Sequence, residues 1–231
     1  MNKYFLNSVL SLALIFNLSY LFAQEEFNND PAAWLSIRLE KKINKHFTIQ
    51  LNQHNRINEN LSKYGRGNID FGMAYIFNKN IKIMFDYVYV EKRKLDDNYA
   101  TRSQFFIALV LKKEFGKWTI IYRNMFQARL KEYYEVEKNG EPYPEFYERN
   151  RLTLRYKINK IFTPYIAQEI YYPLYQAKNK GFDRSRTYFG LTYHLNKQTS
   201  FGSYFLYQRE LNSFNATNID YVYGLIISHD F

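Results

Sequence analysis

Six charged residues in the second half of the chain have the types and spacing needed to bind an anion: Arg149, Arg151, Arg155, Glu169, Arg184 and Arg186. Residues two apart on a β-strand point to the same face, so the first three arginines would share one face. The other three would join that face if the next two segments pair beside it. Because guanidinium groups bind carboxylates and phosphates through paired hydrogen bonds, this face predicts an anion-selective constriction or an acidic-ligand site. The alternative is an internal salt-bridge network in which Glu169 balances the arginines.

The other residues that could do chemistry form no recognisable catalytic or metal-binding motif. The candidates for a nucleophilic pair are His194 with Ser185 and His54 with Ser62, and neither pair has a known sequence motif around it. The sequence has no cysteine, no histidine pair at ligand spacing and no calcium loop, and Asp96-Asp97 is typical of a solvated loop. We therefore expect no catalytic residue, no metal and no cofactor.

The elements that would position the arginines are β-strands with one apolar face. In residues 69–77, Ile69, Phe71, Met73, Tyr75 and Phe77 alternate with polar or small residues, and residues 81–89 and 151–157 repeat the pattern. A period of two is typical of a strand with two different faces, and no helical period fits these segments. The aromatic content of 19% also favours strands.

Short turns at regular intervals join these strands. Asn-Lys occurs at residues 44–45, 78–79, 159–160 and 196–197, and Gly116-Lys117 adds a fifth turn. Neighbouring turns lie about 40 residues apart, which suits two strands, one short turn and one longer loop. We predict eleven strands, at residues 34–41, 47–57, 67–77, 81–90, 102–113, 117–129, 147–157, 162–171, 184–195, 199–210 and 218–231. Single-chain bacterial barrels usually have an even number of strands, so either residues 24–33 form a short twelfth strand or thread the lumen, or one weak segment is misjudged. We expect 10 to 12 strands and favour 12.

The N-terminus has the pattern of a secretory signal peptide. Lys3 supplies a positive charge, residues 6–22 are largely apolar, and Ala23 is a small residue before a cut at Gln24. A retained anchor is the alternative, but polar residues such as Asn7 and Asn17 interrupt the apolar stretch. No later apolar run approaches the roughly 18 residues of a spanning helix, so a membrane-spanning mature chain would have to be a closed barrel.

These observations predict an all-β protein that folds as an antiparallel up-and-down transmembrane β-barrel in the outer membrane. Residues 1–23 would be the signal peptide, cleaved after Ala23, and residues 24–231 a single barrel domain with short periplasmic turns and longer outside loops. Barrels of about eight strands are filled by their own side chains, whereas wide channels need about sixteen. The expected size therefore favours the internal network over the constriction.

The C-terminal strand adds an independent indication of membrane assembly. It ends on Phe231, with Tyr223, Leu225 and Ile227 at alternate positions before it and His229 where an apolar residue is more usual. The pattern resembles the signal by which the barrel-assembly machinery recognises its clients. We therefore expect that machinery as a partner during biogenesis, and outer-membrane lipids as partners afterwards.

Several short motifs along the mature chain resemble those of a known family. They are Trp34 in an opening strand, Arg56 at the end of the second, Tyr147-Glu148-Arg149-Asn150-Arg151, Pro164-Tyr165 with Glu169, and the segment 184–190. With these motifs the chain resembles the DUF2490 family of uncharacterised, predicted outer-membrane proteins common in Bacteroidota. The resemblance implies a barrel in the outer membrane and brings no established activity or catalytic residues.

The role of such a barrel stays open between limited passage of small solutes and a structural or surface-interaction role. A soluble exported barrel of lipocalin type would instead turn its apolar faces inward, and a surface hydrolase would need a catalytic motif. The charged composition of one face favours a wet lumen and an apolar exterior. The net charge of +10 is no sign of nucleic-acid binding in an exported chain, because lipid phosphates and internal acids are adequate partners.

Overall fold

Alternating apolar and polar residues form strands throughout the computed structural model of the protein, which describes residues 29–94, 97–131, 145–174, 181–211 and 219–231. The described residues form eleven strands. They are β1 (Asn29–Lys42), β2 (Phe47–Asn58), β3 (Lys63–Asn78), β4 (Ile81–Arg93), β5 (Tyr99–Phe115), β6 (Trp118–Lys131), β7 (Glu145–Tyr156), β8 (Phe162–Pro173), β9 (Arg184–His194), β10 (Thr199–Glu210) and β11 (Ile219–Asp230). Each coincides with a predicted segment, and most extend it by a few residues.

The strands close into one barrel in which every strand lies beside its neighbours in sequence. Successive strands are antiparallel, whereas β1 and β11 pair in parallel, from Asn29 opposite Ile219 to Glu40 opposite Asp230. An odd number of alternating strands leaves the first and the last pointing the same way, so one parallel pair is required. The predicted range of 10 to 12 strands is confirmed. The favoured twelfth strand is absent from the described residues, because residues 29–33 extend β1.

The apolar faces of the strands point out of the barrel. Ile69, Phe71 and Met73 on β3 are each about half exposed, while Asn68 and Ala74 on the other face are buried in the lumen. An exposed apolar belt around most of the barrel is far larger than the patches that water-soluble monomers carry. This is the arrangement of a transmembrane β-barrel, in which the belt faces lipid. Among the described residues no helix is long and apolar enough to cross a membrane.

The repeated asparagines close the short turns at one end of the barrel, which we call the turn end. Asn44 Oδ1 accepts hydrogen bonds from the backbone N–H groups of His46 and Phe47, at 2.8 and 3.0 Å. Asn159 and Asn196 accept two backbone hydrogen bonds in the same way. An asparagine side chain that satisfies the following amides stabilises a tight turn. The opposite end carries the longer connections, and we call it the loop end.

Large aromatic side chains fill part of the lumen by lying over glycines on the adjacent strand. The ring of Tyr204 on β10 covers Gly224 on β11, and the ring of Tyr165 on β8 covers Gly190 on β9. A Cβ atom at either glycine would collide with the ring. The absence of a side chain at these positions is therefore what lets the tyrosines pack flat against the barrel wall.

Candidate functional site

The middle of the lumen is organised around one carboxylate. Glu169 on β8 lies between Arg151 on β7 and Arg186 on β9 in the strand register, and it is 0% exposed. Its Oε1 accepts hydrogen bonds from Arg123 Nη2 at 2.7 Å and Arg149 Nη2 at 2.9 Å. Arg186 Nη1 lies 3.9 Å from Oε2. One carboxylate therefore holds three guanidinium groups from three different strands.

Tyrosine side chains also contact the Glu169 carboxylate and the guanidinium groups around it. The Tyr188 hydroxyl donates to Glu169 Oε2 at 3.2 Å, and Arg186 donates to the Tyr171 hydroxyl. The guanidinium of Arg149 lies 4.3 Å from the centre of the Tyr171 ring, and that of Arg151 lies 4.2 Å from the Tyr188 ring. Cation–π contacts of this kind contribute more when the cation is removed from water. The result is a packed network of arginine, glutamate and tyrosine, which we call the Glu169 network.

The structure places the six predicted residues in three groups along the lumen. Arg149, Arg151, Glu169 and Arg186 meet in the Glu169 network. Arg155 lies towards the turn end, exposed to the lumen, with its guanidinium 5.8 Å from the Tyr165 ring. Arg184 lies at the loop end, where its Nη2 is 2.9 Å from Glu210 and 3.9 Å from Asp183. Burial raises the pKa of the Asp183 carboxyl above its usual range, and Arg184 opposes that shift.

Sequence reasoning missed Arg123, which makes the shortest contact to Glu169. Arg123 lies in the predicted strand 117–129, on the same face as Met125 and Gln127. The register of β6 against β7, with Arg123 opposite Arg151, brings it to the site. That register spans a long connection between the two strands, so spacing in the sequence gave no means of finding it.

The lumen as a whole carries an excess of positive charge. Eleven arginines occupy lumen-facing positions: Arg38, Arg56, Arg66, Arg102, Arg123, Arg129, Arg149, Arg151, Arg155, Arg184 and Arg186. Nine carboxylates whose side chains the structure describes share that face: Glu40, Asp70, Asp86, Glu114, Glu145, Glu169, Glu210, Asp220 and Asp230. Since this interior is narrow and poorly screened, the excess arginines make its potential positive.

A second polar array in the lumen brings together a serine, a histidine and an aspartate. His54 on β2 has Nδ1 2.8 Å from Ser36 Oγ and Nε2 3.2 Å from Asp70 Oδ2. Serine hydrolases use the opposite order, with Nε2 at the serine and Nδ1 at the carboxylate. The three residues occupy neighbouring positions on β1, β2 and β3, as expected for cross-strand polar pairs. The candidate pairs of His54 with Ser62 and His194 with Ser185 do not form: His54 contacts Ser36 and Asp70 instead, and His194 Nε2 lies 3.3 Å from Thr163 Oγ1.

No group of three potential metal ligands occurs in the part of the chain that the structure describes. Asp97 lies 2.7 Å from Arg93 Nη1 and 3.6 Å from Lys63 Nζ, so internal cations already neutralise it. Asp96 lies outside the described residues.

The four residues of the predicted assembly signal all lie on the lipid-facing side of the barrel. Tyr223, Leu225, Ile227 and Phe231 are between 42% and 62% exposed. Among the tyrosines near the loop end, Tyr172 is exposed on the outside, whereas Tyr147 and Tyr171 are buried in the lumen.

Comparison with known proteins supports the fold. The model of a family described as a protein of unknown function, DUF2490, matches residues 32–218. The structure of the NanC porin in a rhombohedral crystal form superposes on this chain with a TM-score of 0.54 and 11% sequence identity, covering 87% of this chain and 99% of the porin chain. No curated protein sequence matches significantly. At this identity the likeness shows a shared β-barrel fold.

Proposed function

The chain belongs to the DUF2490 family, whose function is unknown, and we propose that it is an integral outer-membrane barrel whose basic lumen allows limited passage of small anions. The observation that carries the proposal is the excess of arginines over carboxylates on the lumen face. Rings of arginine or lysine select anions in pores because they lower the electrostatic energy of an entering anion. The apolar exterior supports the membrane assignment over a lipocalin-like barrel, whose apolar faces would point inward.

The outer-membrane address implies export and assembly. Residues 1–23 would direct secretion, the mature chain would begin at Gln24, and the lipid-facing residues of β11 would guide insertion by the barrel-assembly machinery. Mass spectrometry of the protein from the outer-membrane fraction should give the mass of a chain starting at Gln24. The same sample should migrate differently on a gel before and after boiling. Recovery as a soluble periplasmic protein would contradict the membrane assignment.

The passage would be limited because side chains fill the middle of the lumen. Glu169 and Leu206 are 0% exposed, and Gln127 and Tyr171 are 2% exposed. Arg155 and Arg38, towards the turn end, keep exposed side chains. A small anion entering there would meet the guanidinium groups of these exposed residues before it reaches the Glu169 network. We therefore expect a small conductance with a preference for anions.

Conductance across a planar lipid bilayer under a potassium chloride gradient tests the proposal. The unmodified protein should give a reversal potential with the sign of chloride current, and Arg151→Gln with Arg155→Gln should shift it towards zero. The matched control is Lys41→Gln with Lys113→Gln, which removes two positive charges from exposed positions on the outer face. A reversal potential unchanged by the arginine pair, or moved equally by the control, would contradict an anion-selective lumen.

A structural role is the second candidate, and the complete burial of Glu169 favours it. In that case the Glu169 network is a permanent plug that stabilises the barrel. The protein would then show no channel conductance, and the arginine pair would lower its resistance to urea without any effect on current. The two roles therefore give opposite results in the same pair of measurements.

A further inference from the structure

A group of polar side chains lies on the outside of the barrel, where most outward positions carry apolar residues. It comprises Asn124 on β6, Glu148 and Asn150 on β7, Gln168 on β8, and Ser185 and Thr187 on β9. We call it the lateral polar patch. These positions have the opposite parity to the lumen-facing residues on each strand, so they point away from the barrel interior.

Hydrogen bonds connect the lateral polar patch into two groups. Asn124 Nδ2 donates to Glu148 Oε1 at 2.8 Å and to Asn150 Oδ1 at 3.0 Å, and Asn150 Nδ2 donates to Glu148 Oε1 at 3.1 Å. Gln168 Nε2 donates to Ser185 Oγ, and Thr187 Oγ1 donates to Gln168 Oε1, both at 2.7 Å. These hydrogen bonds lower the free-energy cost of placing each polar group in the membrane, but they leave several amide and hydroxyl donors and acceptors without a partner inside the patch.

The patch lies at membrane depth. Asn150 is six residues above Tyr156, whose ring packs against Trp118 at the turn end. A strand rises about 3.3 Å per residue and tilts about 40°, so six residues climb about 15 Å into an apolar band about 25 Å tall. On the opposite side of the barrel, the outward positions of β3 and β4 carry residues such as Phe71, Phe85 and Tyr87.

Lipid is a poor partner for this surface. Acyl chains cannot use the free donors and acceptors, and a carboxylate on the lipid face is unfavourable. Within the described residues Glu148 forms hydrogen bonds to Asn124 and Asn150 and no ion pair. Anionic lipid headgroups would be repelled by Glu148. Polar side chains at membrane depth instead stabilise contacts between proteins.

We propose that the lateral polar patch is the interface with a second copy of this chain. Asparagine, glutamine, serine and threonine each donate and accept hydrogen bonds, so the patch is complementary to itself across a two-fold axis. An axis along the membrane normal between β8 and β9 brings β7 of one copy against β10 of the other. The exposed Arg209 on the outer face of β10 then meets Glu148.

The depths of these two charges agree with that pairing. Tyr156 and Phe201 occupy corresponding outward positions of β7 and β10 near the turn end. Glu148 lies eight residues above Tyr156, and Arg209 lies eight residues above Phe201. The dimer would contain two such pairs, one on each side of the axis, and each copy would contribute Glu148 to one pair and Arg209 to the other, so all four charges are neutralised. Gln168 and Thr187, which are paired in the register of β8 and β9, lie beside the axis itself.

Disulfide crosslinking tests the interface directly, because the chain has no cysteine. Gln168→Cys places one thiol in each copy beside the axis, and a disulfide requires Cα atoms within about 7 Å. Oxidation of outer-membrane fractions with copper phenanthroline should give a dimer on a denaturing, non-reducing gel. Phe71→Cys, exposed on the opposite side, is the matched control and should give at least tenfold less dimer. If Gln168→Cys no longer shows the heat-dependent gel mobility of a folded barrel, Thr187→Cys replaces it in the crosslinking experiment.

Charge exchange then identifies the partner and the register. Glu148→Arg alone should reduce the dimer fraction of Gln168→Cys at least fivefold, and adding Arg209→Glu should restore it. Equal crosslinking at positions 168 and 71, or none at 168 and 187 in folded protein, would overturn the proposal. Crosslinked species of another mass would show a different protein at this surface and would overturn the assignment to a second copy.

Discussion

Replacing Glu169 by glutamine removes the one negative charge at the centre of the lumen and keeps the shape of the side chain. Glu169→Gln leaves Arg123 and Arg149 without the carboxylate that each contacts within 3 Å, and Arg186 without the charge 3.9 Å away. The amide can still accept a hydrogen bond, so the perturbation is mainly electrostatic. We expect the substitution to destabilise the barrel.

The magnitude follows from the burial of the partners. Removing one partner of a buried ion pair typically costs about 3–5 kcal/mol, because the other charge remains buried. The Arg123 and Arg149 side chains keep 25% and 14% exposure, so lumen water can partly solvate them. The expected loss therefore lies at the lower end, at about 3 kcal/mol.

Urea titration of the protein folded in lipid vesicles, followed by tryptophan fluorescence, measures this loss as a change in the free energy of unfolding. Glu114→Gln is the matched control, because Glu114 contacts Lys112 at 2.6 Å but its side chain is 64% exposed. An exposed pair contributes little, so the control should leave the midpoint nearly unchanged. If Glu169→Gln shifts the midpoint no more than Glu114→Gln, the lumen is wet enough to solvate its arginines, and the reasoning about a packed network is wrong.

Two further predictions concern the lumen wall. Gly224→Ala should destabilise the barrel by about 1–3 kcal/mol in the same titration, because its Cβ would collide with the ring of Tyr204 and force the ring to move. Gly202→Ala, whose Cβ would have its nearest contact at 3.5 Å, should be nearly neutral, and an equal loss at both sites would refute the packing argument. A fluorophosphonate probe should not label the folded protein, because His54 presents Nδ1 to Ser36; labelling that Ser36→Ala abolishes would contradict this expectation and indicate a hydrolase.

The strands were predictable because their pattern is dictated by local chemistry. A strand between lipid and a wet lumen must alternate, as residues 69–77 do, and the turn asparagines have a local role that the sequence displays. Their Oδ1 atoms accept hydrogen bonds from amides two and three residues ahead. Both signals extend over a few residues, so neither depends on the rest of the fold.

The strand number and the content of the site were less accessible, because they depend on pairing between distant segments. The preference for twelve strands rested on the usual even count, and nothing in residues 29–33 revealed that they would continue a strand paired in parallel with β11. Arg123, Ser36 and the lateral polar patch each depend on the register between neighbouring strands. The arginines on β7 and β9 were found because alternation alone places them on one face.

The parallel pairing of β1 with β11 separates the two ends of the described chain. Asn29 lies opposite Ile219 at the loop end, whereas Glu40 and Asp230, one residue before Phe231, lie at the turn end. A label attached beside Asn29 and a label attached at Phe231 would consequently be exposed to different compartments in a membrane. A membrane-impermeant reagent applied to intact cells would distinguish the two positions and so reveal which end of the barrel faces the medium.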